Sequence, residues 1–380
     1  MLTLFKNGYV YNTLAETFEQ KDLYVRDGII VKGGEPDEVD EVIDCTGKYL
    51  IPGLVDVHTH GRGGFDFNTA SLDDVKKMRA SYAKAGTTTV MATLASATME
   101  SFESSADAIN ANRAADKGLA NIAGIHLEGR YLNVKRRGAH AESLLAPLDA
   151  AEAKALAEKM LPLPVHVSAA LEEDGGEEFV KALTDMGATV ALAHSDATYD
   201  EAMAAVGWGA SAFTHTFNAM RPMHHREPGL AVASMLSPAY TEVICDGMHV
   251  HPAMIALCDR AKADGKLVLI TDSMEAAGMP DGDYTIAGMP VIVKDGKAVT
   301  SDGALAGSTL DLFTALKNYM AFTGKSLEKA VPCATINPAY EVGIWRECGS
   351  IAAGKRADIL VLRGKIDPEI ESVYVNGEKI

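Results

Sequence analysis

Eight short apolar runs recur between residues 54 and 272, and loops with amphipathic stretches separate most of them. They read LVDVH (54–58), TTVMATL (88–94), IAGIHLE (122–128), PVHVSAA (164–170), TVALAH (189–194), ASAFTHTF (210–217), EVICDG (242–247) and LVLITD (267–272). Runs this short and this apolar suit strands buried on both faces, the condition of a parallel sheet. Between them the spacing predicts helices over 71–86, 99–116, 149–160, 177–186, 199–206, 252–263 and 309–322, the first opened by a capping box at Ser71 and Asp74 and stopped at Gly86. Eight strand–helix units predict an α/β fold of the (β/α)8 TIM-barrel type. An open doubly wound sheet would place a glycine-rich phosphate loop after its first strand. Here that place holds His58-Thr59-His60.

The flanks have a different texture. LTLFKNGYVY, DLYVRDGIIVKG and EVIDCTGKYL near the start alternate apolar and polar residues, as do ADILVL (357–362) and SVYVNGEKI (372–380). With the pairs Asn7-Gly8, Asp27-Gly28 and Asn376-Gly377 as turns, this predicts small antiparallel units. The expectation is a discontinuous β-sandwich domain from residues 1–52 and 346–380, set around a barrel domain at 53–345. A hairpin excursion is expected at 283–304, ahead of two closing helices. Thirty-five basic against 52 acidic residues leave a formal charge of −17. That surplus opposes binding to nucleic acid or to an anionic membrane, so any anionic substrate has to meet locally placed cations. No run approaches a membrane span and no signal-peptide pattern opens the chain. The five cysteines, odd in number and without a CxxC pair, read as reduced, mostly buried thiols. A cytoplasmic enzyme is expected.

In a barrel of this kind, side chains at the carboxyl ends of the strands converge on one mouth. His58 and His60 end the first strand on the same side, because alternate residues of a strand share a face. Glu128 ends the third strand, His194 the fifth, His215 the sixth and Asp272 the eighth. A lone strand-end histidine is ordinarily a hydrogen-bonded surface residue, and either carboxylate alone could cap the next helix. Four imidazoles and two carboxylates at equivalent positions point instead to a transition-metal site. His126 and His166 lie inside strands and read as structural. His224 and His251 read as solvated loop residues, and Trp208 and Trp345 as core. His140, His225, Arg226 and His249 follow strands 3, 6 and 7 and stand near the entrance.

Read in order, PGLVDVHTHG, GIHLEGRYLN with KRRGAH, LAHSDATY, FTHTFNAM, HHREPGL, ICDGMHV, LITDSMEAAGM, LAGSTLDL and GSIAAGKRADILVL resemble the amidohydrolase superfamily. Within it they resemble the family of N-acetylglucosamine-6-phosphate deacetylases, essentially from end to end. The resemblance implies hydrolysis of N-acetyl-D-glucosamine 6-phosphate to D-glucosamine 6-phosphate and acetate. It implies one or two divalent metals per subunit, zinc, iron or similar. Glu128, His194 and His215 would be the core ligands, with His58 and His60 serving a second position. Asp272 would be the catalytic carboxylate at the metal, and His140 would contact the substrate near its acetyl carbonyl. Asn218, Ala219, Ala306 and Gly307 would contact the sugar. Arg226 and His249, with His225 nearby, would clamp the phosphate, the arginine reaching across from the partner of a homodimer. One departure is Arg130-Tyr131, which stands where that family has Pro-Phe.

The residues themselves suit the chemistry. A divalent metal lowers the pKa of water toward ~7 and polarises a carbonyl, which an unreactive acetamide requires. A nearby carboxylate such as Asp272 can move the proton, and a donor such as His140 can stabilise the oxyanion. Rival expectations are a deacetylase for another phosphorylated amino sugar, such as N-acetylgalactosamine 6-phosphate, and a non-catalytic sugar-phosphate sensor. A cyclic-amide hydrolase of the same superfamily would want a lysine on strand 4, and PVHVSAALEE has none.

Overall fold

The apolar runs form eight parallel strands in the computed structural model, which describes residues 1–34, 38–301 and 303–380. They are β1 (Leu54–Thr59), β2 (Thr87–Ala95), β3 (Asn121–Glu128), β4 (Val165–Ala169), β5 (Thr189–Leu192), β6 (Ala212–Phe213), β7 (Tyr240–Ile244) and β8 (Leu267–Ile270), each paired with the next. Thr59 bridges Ser273, and the Asp272 N–H donates to the His58 carbonyl at 2.9 Å, which closes the ring between β8 and β1. A helix follows each strand: α1 (Leu72–Lys84), α2 (Met99–Ala111), α3 (Ala150–Met160), α4 (Gly176–Asp185), α5 (Tyr199–Trp208), α6 (Gly229–Leu236), α7 (Pro252–Ala261) and α8 (Leu312–Thr323). The expected capping box forms at α1, where Ser71 Oγ accepts from the Asp74 N–H and the Asp74 carboxylate accepts from the Ser71 N–H. The sequence gives no sign of α6. Its run, GLAVASML, is apolar nearly all round and mostly buried, so it carries no 3.6-residue alternation to read.

Below the mouth the barrel interior is polar. His126 lies between Thr93 Oγ1 at 3.2 Å and Ser168 Oγ at 2.8 Å, and Ser168 passes the chain on to Thr214 at 2.7 Å. His166 meets Thr189 Oγ1 at 2.7 Å. Both histidines are therefore hydrogen-bonded within the barrel. The apolar core lies around this polar column, where strand residues such as Val90, Leu192 and Leu269 pack with Met78, Phe102 and Leu316 of the helices.

The two ends of the chain build one further sheet. Its strand order is 378–379, 369–375, 359–363, 49–52, 2–12, 17–26 and 29–31, with 41–44 also beside 2–12. The sheet is mixed, not purely antiparallel, because 41–44 and 49–52 both run parallel to 2–12. Asn7-Gly8 is a bulge inside the strand 2–12 and not a turn. Asp27-Gly28 and Asn376-Gly377 do turn, all four residues with positive φ. These two turns touch: a Cβ at Gly28 would lie 2.5 Å from the Asn376 carbonyl oxygen, so glycine is required for the ends of the chain to meet. The sheet folds over its own core of Phe5, Val10, Val25, Leu50, Ile359 and Tyr374. The excursion after β8 has three strands, 282–286, 289–294 and 297–299, joined by Ala287-Gly288 and Asp295-Gly296 turns. All five cysteines are buried and unpaired. Trp208 packs against the main core, but Trp345 is 37 % exposed and stacks on Tyr340. Its aromatic area is covered by a surface neighbour instead of the core.

Candidate metal centre and substrate cavity

The six strand-end residues meet at the mouth around Glu128, whose two oxygens face different partners. Oε2 lies 2.9 Å from His60 Nε2 and 3.3 Å from His58 Nε2. Oε1 lies 2.9 Å from His215 Nε2 and 3.2 Å from His194 Nε2. Asp272 Oδ1 joins the first group, 3.2 Å from His60 Nε2 and 3.4 Å from His58 Nε2. Two donor sets result, His58–His60–Glu128–Asp272 and Glu128–His194–His215, each with its atoms within 4.8 Å of one another. Glu128 belongs to both.

Behind His58 and His194 a contact at Nδ1 turns the Nε2 lone pair inward, whereas His60 Nδ1 and His215 Nδ1 are buried without a partner. His194 Nδ1 donates to the Arg136 carbonyl at 2.8 Å, which leaves Nε2 unprotonated toward Glu128. His58 Nε2 is buried without a hydrogen-bond partner although two carboxylates lie within 3.4 Å. Burial opposes a charge on His60, yet hydrogen bonds to Asp272 and Glu128 outweigh it and lift its pKa to about 9. Burial pushes Glu128 up, but the neighbouring His58, His194 and His215 rings hold it well below the usual carboxylate range. Asp272 is likewise lowered, chiefly by His58 and His60 acting against its burial. Carboxylates that pull protons onto neighbouring imidazoles are a site short of positive charge. A divalent cation fits that donor set.

Three of these residues sit in strained backbone. His194, His215 and Asp272, each just past a strand end, have φ of 44°, 32° and 49°. Such left-handed conformations are unfavourable for residues with a Cβ and gather at functional sites. They also explain why β6 stops at Phe213, since the chain leaves the strand to present His215.

The donor sets open into a cavity of about 390 Å³, lined also by His140, Asn218, Ala219, His249 and Gly307. His140 Nδ1 faces the Ser96 N–H and hydroxyl at 3.4 and 2.9 Å, so Nδ1 accepts and Nε2 carries the proton. Burial and then His194 lower its pKa to about 3, so the ring is neutral at pH 7. His249 Nδ1 meets Asp246 at 2.6 Å. Ala306 is buried beside Gly307 and does not itself line the cavity. His225 and Arg226 lie outside it on an exposed loop, joined by a 2.8 Å hydrogen bond. His224 is also exposed, and His251 caps α7 by accepting from the Ala253 N–H. The sequence reading missed Lys135, Arg136, Ser96, Ile286 and Met289 in the lining, and the buried Glu242 beneath it. Glu242 had a signal, an acid within an apolar strand.

The sequence profile of the amidohydrolase family matches residues 49–380. The chain belongs to the amidohydrolase family. Among relatives, it is 35% identical to the N-acetylglucosamine-6-phosphate deacetylase of Vibrio furnissii, over 87% of this chain and 82% of the relative. It is 33% identical to the N-acetylgalactosamine-6-phosphate deacetylase of Escherichia coli O157:H7, over 95% and 94%. A solved N-acetyl-D-glucosamine-6-phosphate deacetylase from Mycobacterium smegmatis, an aspartate-to-alanine mutant in complex with N-acetyl-D-glucosamine-6-phosphate, superposes with a TM-score of 0.88 at 33% identity, over 100% and 98%. In this amidohydrolase, Arg130 takes φ 69°, which proline cannot adopt. Its N–H donates to Ser96 Oγ, and its guanidinium forks onto Glu152 at 2.7 and 3.0 Å. Tyr131 donates to the same carboxylate at 2.9 Å, so the departure ties the loop to α3 and leaves Glu128 in place.

Two outcomes are expected. With His60 lifted to about 9, the metal-free amidohydrolase holds at pH 7 a proton that a bound cation displaces. Zinc titration in buffers of different ionisation enthalpy should therefore show proton release, and affinity should fall as pH drops; buffer-independent heats would contradict this. Second, metal-free His215→Gly should resist denaturant better than His215→Ala, by about 1–2 kcal/mol, reversing the usual order of alanine over glycine.

Proposed function

We propose that the chain hydrolyses the acetamide of N-acetyl-D-glucosamine 6-phosphate, releasing D-glucosamine 6-phosphate and acetate. What carries the reading is the placement of Asp272, which lines the same cavity as the neutral His140 and stands 3.2 Å from His60. The names of the relatives support the substrate class.

His58, His60, Glu128, Asp272, His194 and His215 would hold the divalent metal, one or two ions such as zinc or iron. When bound, such an ion supplies Lewis acidity toward water and the amide carbonyl. Asp272, kept ionised, accepts the proton of the attacking water and passes it to the departing nitrogen, which leaves as the amine. His140 Nε2–H donates to the carbonyl oxygen as negative charge develops there. Asn218, Ala219, Ala306 and Gly307 are assigned to the sugar. His249, turned by Asp246, is assigned to the phosphate with His225 and Arg226. Because those last two lie outside their own chain's cavity, they serve the site of a second copy in a homodimer. The terminal sheet (1–52 and 346–380) is read as a domain apart from the catalytic barrel (53–345). The buried, unpaired cysteines support a reducing, cytoplasmic setting for the enzyme. No helix among the described residues is long and apolar enough to cross a membrane.

A second reading, N-acetylgalactosamine 6-phosphate as substrate, has the support of the Escherichia coli relative. Acetate release from the two sugars, compared as kcat/KM, separates them. Release from neither would overturn both.

Asp272→Asn should lower kcat by about 10²–10⁴ while metal is retained. Parental turnover in that variant would remove the role. Arg226→Ala should lower kcat/KM on the 6-phosphate about 10–150-fold, as loss of a charge-assisted phosphate contact does, while sparing the unphosphorylated sugar. Mixing Arg226→Ala with Asp272→Asn subunits should restore activity through hybrid dimers carrying one complete site. Absence of rescue despite subunit exchange would return the arginine to its own subunit.

A further inference from the structure

One carboxylate beneath the mouth has no part in the reaction derived above. Glu242, in β7, is fully buried in a strand otherwise fit for an apolar core. Its Oε2 lies 3.4 Å from His58 Nδ1 and 3.4 Å from the backbone nitrogen of His215, whose N–H donates to it. The Glu242 carbonyl accepts from the next N–H along the chain, that of Thr216, at 2.8 Å. A single residue thus touches the ring of one donor set and the backbone that carries a ligand of the other. Glu128 joins the two sets from above, through its oxygens. Glu242 joins them from below.

The contact with His58 also has a direction. An ionised carboxylate only accepts, so the proton of a neutral His58 belongs on Nδ1. Nε2 is then the bare nitrogen, and it is the atom buried without a hydrogen-bond partner between Glu128 and Asp272. His215, meanwhile, holds an unfavourable φ of 32° that something must stabilise. The bonds from its own N–H and that of Thr216 to Glu242 fix the peptide on either side of that turn. Partners of this kind orient ligands and raise their basicity, and their loss typically costs about 10–100-fold in metal affinity.

We propose that Glu242 is the positioning residue of the metal centre, fixing the tautomer of His58 and the strained backbone of His215 so that both ligands meet across Glu128. The inference rests on the metal reading above. Glu242 acts through its neighbours and does not touch substrate.

The test is a zinc titration of metal-free protein against a competing chelator, for the parent, Glu242→Gln, His58→Ala and the double variant. Glutamine keeps the shape but loses the charge and the acceptor-only character. The expected result is two ions in the parent, with one position weakened about 10–100-fold in Glu242→Gln. In the His58→Ala background that same substitution should weaken this position no further. Parental affinities in Glu242→Gln would overturn the proposal. So would a third zinc in the parent that Glu341→Gln removes: His166, Glu242 and Glu341 also lie within ligand reach of one another, and Glu242 would then be a ligand itself. If Glu242→Gln does not fold, imidazole nitrogen NMR of the zinc-loaded parent decides. A proton on His58 Nδ1 with zinc at Nε2 supports the assignment, and the reverse overturns it. Parental zinc binding by a His58→Ala, His60→Ala variant is the distinct result that overturns the metal reading beneath it.

Discussion

Two oxygens of one carboxylate, that of Glu128, must each reach a different pair of imidazoles, and the rest of the mouth depends on that division. The four rings come from β1 and from the turns after β5 and β6, so three strand ends have to hold their places around β3 to within a few tenths of an ångström. Free loops would not hold that tolerance. A closed ring of parallel strands does, because each strand end is braced by both neighbours. The closing contact matters most. Asp272 reaches His60 because its own N–H is bonded to the His58 carbonyl, which locks β8 to β1 at the point where the His58–His60 donor set forms.

Such an arrangement opposes folding in two ways. Carboxylates and imidazoles out of water are costly unless paired, and residues with a Cβ in left-handed backbone cost of order 1–3 kcal/mol each. The barrel offsets the first with a polar interior. Thr93 and Ser168 give His126 partners, Thr214 bonds Ser168 in turn, and Thr271 donates to the buried Asp56 at 2.6 Å. It offsets the second with packing outside the ring, where the apolar faces of strands and helices form one continuous core. Strain sits at the mouth, and the apolar contacts that compensate for it sit elsewhere.

This division of labour decides what could be read from the sequence. Residues that face the helices repeat with the fold, so the eight strands and most helices were legible from period and length alone. His58 and His60 were legible because alternation in a strand is a strong geometric rule. The helix α6 was not, since a helix buried nearly all round has no polar face to mark it. Nor was the two-residue length of β6, set by the turn at His215 and not by apolar content. Asn7-Gly8 has the composition of a turn but lies in a strand long enough to absorb it as a bulge, and only pairing with 17–26 decides between the two. Glu242 is the sharpest case. Local propensity treats an acid in an apolar run as an interruption, whereas three-dimensional contact with β1 and the turn after β6 gives it partners.

The far end of the cavity poses a different problem, because a chain at −17 has to leave some cations unspent if it is to hold an anion. Arg136 lines the cavity but lies 2.7 Å from Asp196, and Arg221 shares the same carboxylate at 3.3 Å. His249 is turned by Asp246. Their fields are therefore largely neutralised before any ligand arrives. Among the described residues, Lys135 is the lining cation that makes no ion pair, and Arg226 is a second unpaired cation outside. Both are exposed, and an exposed charge acts on an anion at full strength only where water is excluded. Covering the cavity would do for Lys135 and Arg226 what burial in the barrel does for the strand-end residues. In the homodimer proposed above, a second copy seated over the mouth would supply that cover and the arginine together, and assembly and anion recognition would then be a single physical requirement.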